Sequence, residues 1–549
     1  MPTLEARRFQ PTDPRDNRLE QIVTTLVLLW TFLALCFPML DTDFWWHLRT
    51  GELIIQRGEL PSVDWFTFRD SDRPWIDLHW GFQLLITGLY HLGGSPLIVL
   101  AKALVLTATV GLAWSATGRT IPVWLKGLLW FPAIVAITGR GYERPEVLSQ
   151  LFLATWLWIV FRLAQRPHLI WCLPFVQIVW INCHSLFILG LVVGASYVID
   201  RLGREAAQGR WGLEPASNEP PLRTVAWAGL AAVVAALCNP YFEQGALFPL
   251  ELYRKFSVEQ DFYSVRIGEF TRPVDFALKF GPVAFTNFYF LAELTIWLLA
   301  TASFLWLGSY GRWSILRLLL YAGFSHLAWE ATRNTNIFAI VSAVIMCANC
   351  DDAIRMRATS PGRPARRSQL VAVMCFYCVL IISVLTGGWN TLGERNKPFG
   401  FGELPAWFAH DACRFAGQTG FPHHAFVAHI GQAGVYIYHN GPDRRVFMDG
   451  RLEVCSRKTF ELFDEIRHLM ATGDRRWERL LPRDDQGRMP AIILDARASR
   501  HEINGLYQTP GWRLVYADRV ATVFLEESLA NKLSLPPASL EPLLNVKQY

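Results

Sequence analysis

Between residues 20 and 388 the chain turns apolar again and again, each time for close to the roughly 20 residues that cross a bilayer, with Arg-bearing connections in between. That alternation admits few folds. Lipid offers backbone groups no hydrogen-bond partner, so each run must satisfy its own and fold as a helix. About eleven spans are predicted, near 20–40, 96–117, 122–138, 147–164, 169–182, 185–200, 224–239, 286–307, 314–330, 336–350 and 369–388. The first run is too long for the apolar core of a cleaved signal and reads as an uncleaved span.

The predicted fold class is an α-helical polytopic membrane protein with a C-terminal extracytoplasmic α/β domain. Residues 1–390 form the membrane domain, with outer loops 41–95 and 239–286, and 391–549 the water-soluble one. In the latter, short β-like runs (434–438, 445–448, 491–494, 512–516, 521–525) alternate with helical stretches (458–470, 474–481), as in a small α/β domain. Orientation follows from Arg in the connections assigned inside. The run Arg355, Arg357, Arg363, Arg366, Arg367 is the strongest signal, and Arg7, Arg8, Arg15 and Arg18 agree with it. The N-terminus is then cytoplasmic and the C-terminal domain outside. Topology accounts for the formal charge of +5 without a nucleic-acid partner. Cys413 and Cys455 fall in the outer domain, an oxidising setting that permits a disulfide.

This threading gathers six polar clusters at one outer rim: Asp41-Thr42-Asp43 with His47, Arg140 to Glu146, Asn182 to His184, Asn239-Pro240, Glu269, and Arg333-Asn334. Ionisable groups beside lipid are costly and mark function. Asp41 and Asp43 are the catalytic candidates, as a base toward an acceptor hydroxyl or as ligands of a divalent cation, Mg2+ or Mn2+. Arg140, Arg144 and Arg333 suit a phosphate by their planar fork, or pair with Glu143, Glu146 and Glu330. His47, Glu143, Asn182, His184 and Glu269 complete the candidate substrate-binding set. The loop around Asp43 continues through Asp64, Trp75, Asp77, His79 and Trp80, and a predicted amphipathic segment, 80–92, lies at the interface. In the tail, Asp449-Gly450-Arg451 reads first as a tight turn with an Asp–Arg pair.

The strings DTDFWWHLRTGELIIQRGELPSVDWFTF and PWIDLHWGFQLL, with RGYERPEVLS, WINCHSLFILG, CNPYFEQGALFPLEL, IGEF, EATRNTNIFAI and RVFMDGR, resemble a family of largely uncharacterised bacterial polytopic membrane proteins. That family in turn resembles the GT-C superfamily, which includes protein mannosyltransferases, aminoarabinose transferases and oligosaccharyltransferases. The resemblance implies a transferase in the bacterial inner membrane. It would move a sugar from a polyprenyl-phosphate or polyprenyl-diphosphate donor to an acceptor at the outer face, with membrane lipid as a partner. It also implies a catalytic carboxylate just after the first span, a position filled here by Asp41 and Asp43. Many members have adjacent acids there; this chain spaces them as Asp-Thr-Asp. A non-catalytic envelope scaffold and a lipid or sugar transporter are the alternatives. Polar groups at one rim and no repeated halves weigh against transport.

Overall fold

A computed structural model describes residues 14–69, 71, 73–118, 120–211, 218–357, 367–392 and 397–543. Arg7, Arg8, Arg363 and Arg366 lie outside the described residues. The chain divides into two compact units, one of Met1–Pro38 with Val99–Phe401, the other of Met39–Ile98 with Gly402–Tyr549. The segment after the first apolar helix, predicted as an outer loop of the membrane part, therefore clusters with the C-terminal residues.

The first unit is helical. Each predicted apolar run falls on a helix, from Pro14–Leu35 through Val123–Gly139 and Glu146–Arg162 to Thr335–Arg357 and Arg367–Leu385. Among the described residues six helices are long and apolar enough to cross a membrane by length and composition; Val123–Gly139, Pro167–Ile181 and Leu222–Ala235 are shorter apolar helices. The chain is a membrane protein on this pattern. Exposed Phe175, Leu298, Leu305 and Val379 fit a surface solvated by lipid. Burial separates inner from outer helices: the hydrophobic window within 332–357 is 89% buried, that within 367–385 only 22%. The inner helix packs against Val123–Gly139, Glu146–Arg162, Phe288–Gly308 and Ile315–Glu330, and its end is anchored by charge. Asp351 accepts from the backbone N–H of Thr120 and of Ile121, each at 2.8 Å, and pairs with Arg355 at 2.7 Å.

The second unit is built on a five-stranded sheet of β1 (His424–Val427), β2 (Arg445–Val446), β3 (Ala491–Asp495), β4 (Trp512–Ala517) and β5 (Ala521–Glu526), in the order β2-β1-β3-β5-β4. β1 is parallel to both neighbours, while β5 runs antiparallel to β3 and β4. Residues 66–68 extend the sheet past the short β2: Val446 N–H donates to the Phe66 carbonyl at 2.9 Å and Phe68 N–H to the Val446 carbonyl at 3.0 Å. This covers an edge that would otherwise stand unpaired.

One prediction changes here. Gly434–Tyr438 is not a strand but part of the helix Ile430–Asn440, which the His429 side chain caps by accepting from Gln432 N–H. Gly434 explains the override of β propensity: a Cβ there would come 2.7 Å from the Thr42 carbonyl oxygen, so the small residues let the Asp41–Asp43 segment pack on this helix. The stretch 80–92 is a short helix, divided from the apolar helix that runs on to Ala116 by the non-helical Gly93 and Gly94, where Gly94 takes φ 61°. Neither Cys413 nor Cys455 is in a disulfide; the Cys455 thiol meets the Ser456 carbonyl at 3.4 Å.

Candidate active site

In the first unit, the turn after Val123–Gly139 and the start of Glu146–Arg162 carry Arg140, Arg144 and Glu146. Glu269 sits on a single 3-10 turn, Gly268–Phe270, and Arg333 on another, Thr332–Asn334. These converge. Arg144 Nη1 donates to both Glu269 oxygens, at 2.9 and 3.1 Å, and Arg140 Nη2 lies 3.3 Å from the same carboxylate. Glu146 lies 3.7 Å from Arg140 and 3.3 Å from Arg333. Burial alone would raise the Glu269 carboxyl, but Arg140, Arg144 and Arg333 outweigh it and hold it well below the usual range.

Beside this cluster opens a cavity of about 200 Å³. Leu186, Leu189, Leu252, Phe256 and Ile337 give it apolar walls, and Glu146, Arg333 and Asn334 reach its lining. Apolar space with a few convergent polar groups is the usual form of a small-molecule site.

The other candidates of this unit are placed less openly. Glu143 forms a buried pair with Lys102, whose ammonium lies 3.5 Å from the Phe37 ring centre. The His184 ring nitrogen Nδ1 is 2.9 Å from the Ser149 hydroxyl, which also accepts from Trp180 Nε1 at 2.8 Å. Asn182 donates to the Ile178 and Cys238 carbonyls, both at 2.8 Å. Asn239 closes its own turn, donating to Ala236 and Phe242 carbonyls at 2.9 Å. Lys102 was missed in the sequence, although a lone Lys within an apolar run is a signal of its own.

In the second unit, Asp43 opens the helix Asp43–Arg57. Asp41 is buried and its Oδ1 accepts from Asp43 N–H at 2.8 Å, so it caps that helix start. Asp43 is partly exposed and lies against Gly450: a Cβ added there would be 2.5 Å from Asp43 Oδ1. The Asp449-Gly450-Arg451 turn is held from beneath. Arg451, 0% exposed, donates to Asp449 Oδ2 at 2.6 Å and to Asp64 Oδ1 at 2.7 Å, and stacks 4.4 Å from the Trp75 ring centre. Burial works against its charge, but Asp449 and Asp64 prevail and keep it protonated. His47 is buried, with Nδ1 3.3 Å from Gln83 Nε2, which also donates to Asp77 Oδ1 at 3.2 Å. The Asp–Arg pair read from the sequence is present, with Asp64 as an unforeseen third member. Among the described residues no group of three or more His, Cys, Asp or Glu is arranged to hold a metal ion.

No protein-family model and no curated protein matches the chain. Solved structures do. The apo oligosaccharyltransferase of Archaeoglobus fulgidus aligns at TM-score 0.54 and 10% identity, over 87% of this chain and 70% of that one. The same enzyme tethered to an acceptor peptide with the NVT sequon gives 0.53 at 10%, over 87% and 69%. ArnT from Cupriavidus metallidurans bound to undecaprenyl phosphate gives 0.50 at 13% identity, over 92% of this chain and 97% of that one. Each is a GT-C glycosyltransferase, and this chain has a GT-C-like fold.

Proposed function

We propose that the protein is a membrane glycosyltransferase that moves a sugar from a polyprenyl-phosphate donor to an acceptor at the outer face of a bacterial cytoplasmic membrane. About eleven spans, a cytoplasmic N-terminus and an extracytoplasmic C-terminal domain belong to the same proposal. The observation that carries it is the apolar cavity with Arg333 in its lining and Arg140 and Arg144 in the ion cluster next to it, which suits a ligand that is hydrocarbon at one end and anionic at the other.

The chemistry asks two things of the chain. As an acceptor hydroxyl attacks the anomeric carbon, the carbon–oxygen bond to phosphate breaks and its electron pair leaves on the phosphate. Arg140, Arg144 and Arg333 are suited to that growing negative charge, since preorganised cations act most where charge develops. The acceptor's proton goes to a carboxylate. Asp43 is the better base of the two acids, because it is partly exposed while buried Asp41 is committed to the Asp43 N–H. A divalent cation held by Asp41 and Asp43 is the untried addition to this scheme, and no step above requires it.

The test is transfer of a radiolabelled sugar from a polyprenyl-phosphate donor by the purified protein. Asp43→Asn should lower it by about 10²–10⁴-fold, the usual contribution of a general base, without changing the melting profile. Undiminished transfer by a folded Asp43→Asn protein rules out the assigned base, and accumulation of donor in sealed vesicles without a covalent product replaces the enzyme with a transporter.

A further inference from the structure

The helix Phe242–Val258 forms one wall of the cavity, presenting Pro249, Leu252, Tyr253 and Phe256 at the spacing of a single helical face. Its other side exposes Leu247, Leu250 and Val258. This wall is tied to the rest of its unit by polar contacts in the residues that follow. Gln260 Nε2 donates to the Glu330 carbonyl at 2.7 Å and Arg272 pairs with the Glu330 carboxylate at 3.4 Å. Thr332 N–H donates to the Thr271 carbonyl at 3.1 Å and its hydroxyl to the Glu269 carbonyl at 3.3 Å, and from the wall itself Tyr253 meets His326 at 3.4 Å. A further tie, by charge, is Glu269 on Arg140 and Arg144.

Glu269 is an unusual tie. Its carboxylate engages two guanidinium groups at once, Arg144 through Nη1 on both oxygens and Arg140 through Nη2 at 3.3 Å, and guanidinium groups are equally suited to a phosphate. Its side chain remains 27% exposed and that of Arg144 23%, so another anion can approach Arg144 from the same side. We propose that Glu269 is an internal competitor for the phosphate group of the lipid donor. Its carboxylate holds Arg140 and Arg144 until the phosphate takes them, and its release loosens the wall Phe242–Phe270 beside the cavity. The inference rests on the arginines being the phosphate site. It adds that the site is occupied from within before the donor arrives, so donor binding and loosening of the wall are one event. Glu146 differs, since it bridges Arg140 and Arg333 from the start of the helix Glu146–Arg162 and not from the wall Phe242–Phe270.

A group that closes a site lowers apparent affinity by the fraction of time the site is open. Glu269→Gln keeps the shape and weakens the competitor, so the full-length protein in nanodiscs should bind undecaprenyl phosphate about tenfold more tightly than wild type if the site is closed roughly nine-tenths of the time. Undecaprenol, which lacks the phosphate, should bind both proteins alike. In the wild type, amide exchange over 260–275 should quicken when undecaprenyl phosphate is added, a readout that needs no variant. Equal or weaker binding by Glu269→Gln, tightening that extends equally to undecaprenol, or slower exchange on lipid addition each overturns the competitor. Arg144→Ala separates this from the reading beneath it: if that variant binds undecaprenyl phosphate as wild type does, the arginine site itself fails, whatever Glu269 does.

Discussion

Two ion clusters in this molecule are built from the same residue types and do opposite work. In the helical unit, three arginines share two glutamates beside a cavity, and the side chains of Arg140, Glu269 and Arg333 stay 14%, 27% and 29% exposed. In the other unit, one arginine is shared by Asp64 and Asp449, and Arg451 and Asp64 are wholly sealed. A sealed cluster is closed to any ligand and fixes geometry; here it supports the turn against which Asp43 lies. A half-open cluster of several arginines keeps binding capacity. Access, more than residue type, separates the structural arginine from the functional ones.

The contrast makes ordered demands. Arg451→Ala should cost about 3–5 kcal/mol of stability, the usual penalty for stranding buried carboxylates, read from denaturant unfolding of the purified protein. A loss below about 1 kcal/mol, the level of a surface pair, would erase the distinction. Arg144→Ala should cost no more than about 1 kcal/mol in the same experiment, yet weaken undecaprenyl phosphate binding by about 1.5–3 kcal/mol, the range for a charged hydrogen bond. Gly450→Ala should fall between the two kinds. Its new methyl meets Asp43, so about 1–3 kcal/mol of overpacking should appear together with lost transfer, and unaltered transfer would detach the turn from the acid.

The smallest effect is a pH dependence. The Glu269 carboxyl is depressed in the folded protein, so the stability it contributes is complete above its ordinary value of about 4.5 and is lost as pH falls through the lower folded value. The gap between wild type and Glu269→Gln in thermal unfolding should therefore be flat from neutral pH to about 4.5 and shrink below it. A gap that closes between pH 7 and 5 would contradict the assignment.

Much of this was legible in the residues, and the failures have physical causes. Apolar periodicity placed helices wherever a run approached span length, because lipid leaves the backbone no alternative. Arg140, Arg144, Glu269 and Arg333 were singled out separately, and the fold brings those four together. What hydropathy cannot carry is pairing. It did not foresee that Glu143 would take Lys102, or that Asp64 would reach Arg451 across 387 positions. The β-branched and aromatic run 434–438 misled for a related reason: its glycine serves a close tertiary approach, which no local propensity records. The loop after the first helix was assigned by adjacency in sequence, whereas its strand-like pairing with β2 joins it to the C-terminal unit.

The most direct measurement is photocrosslinking of the purified protein with a diazirine-bearing polyprenyl phosphate, read by mass spectrometry. The account predicts adducts on Leu252, Phe256 and Ile337 that unlabelled undecaprenyl phosphate suppresses, undecaprenol suppresses poorly, and Arg144→Ala diminishes. Adducts spread over lipid-facing side chains such as Leu298 and Val379, with none in the cavity, would contradict it.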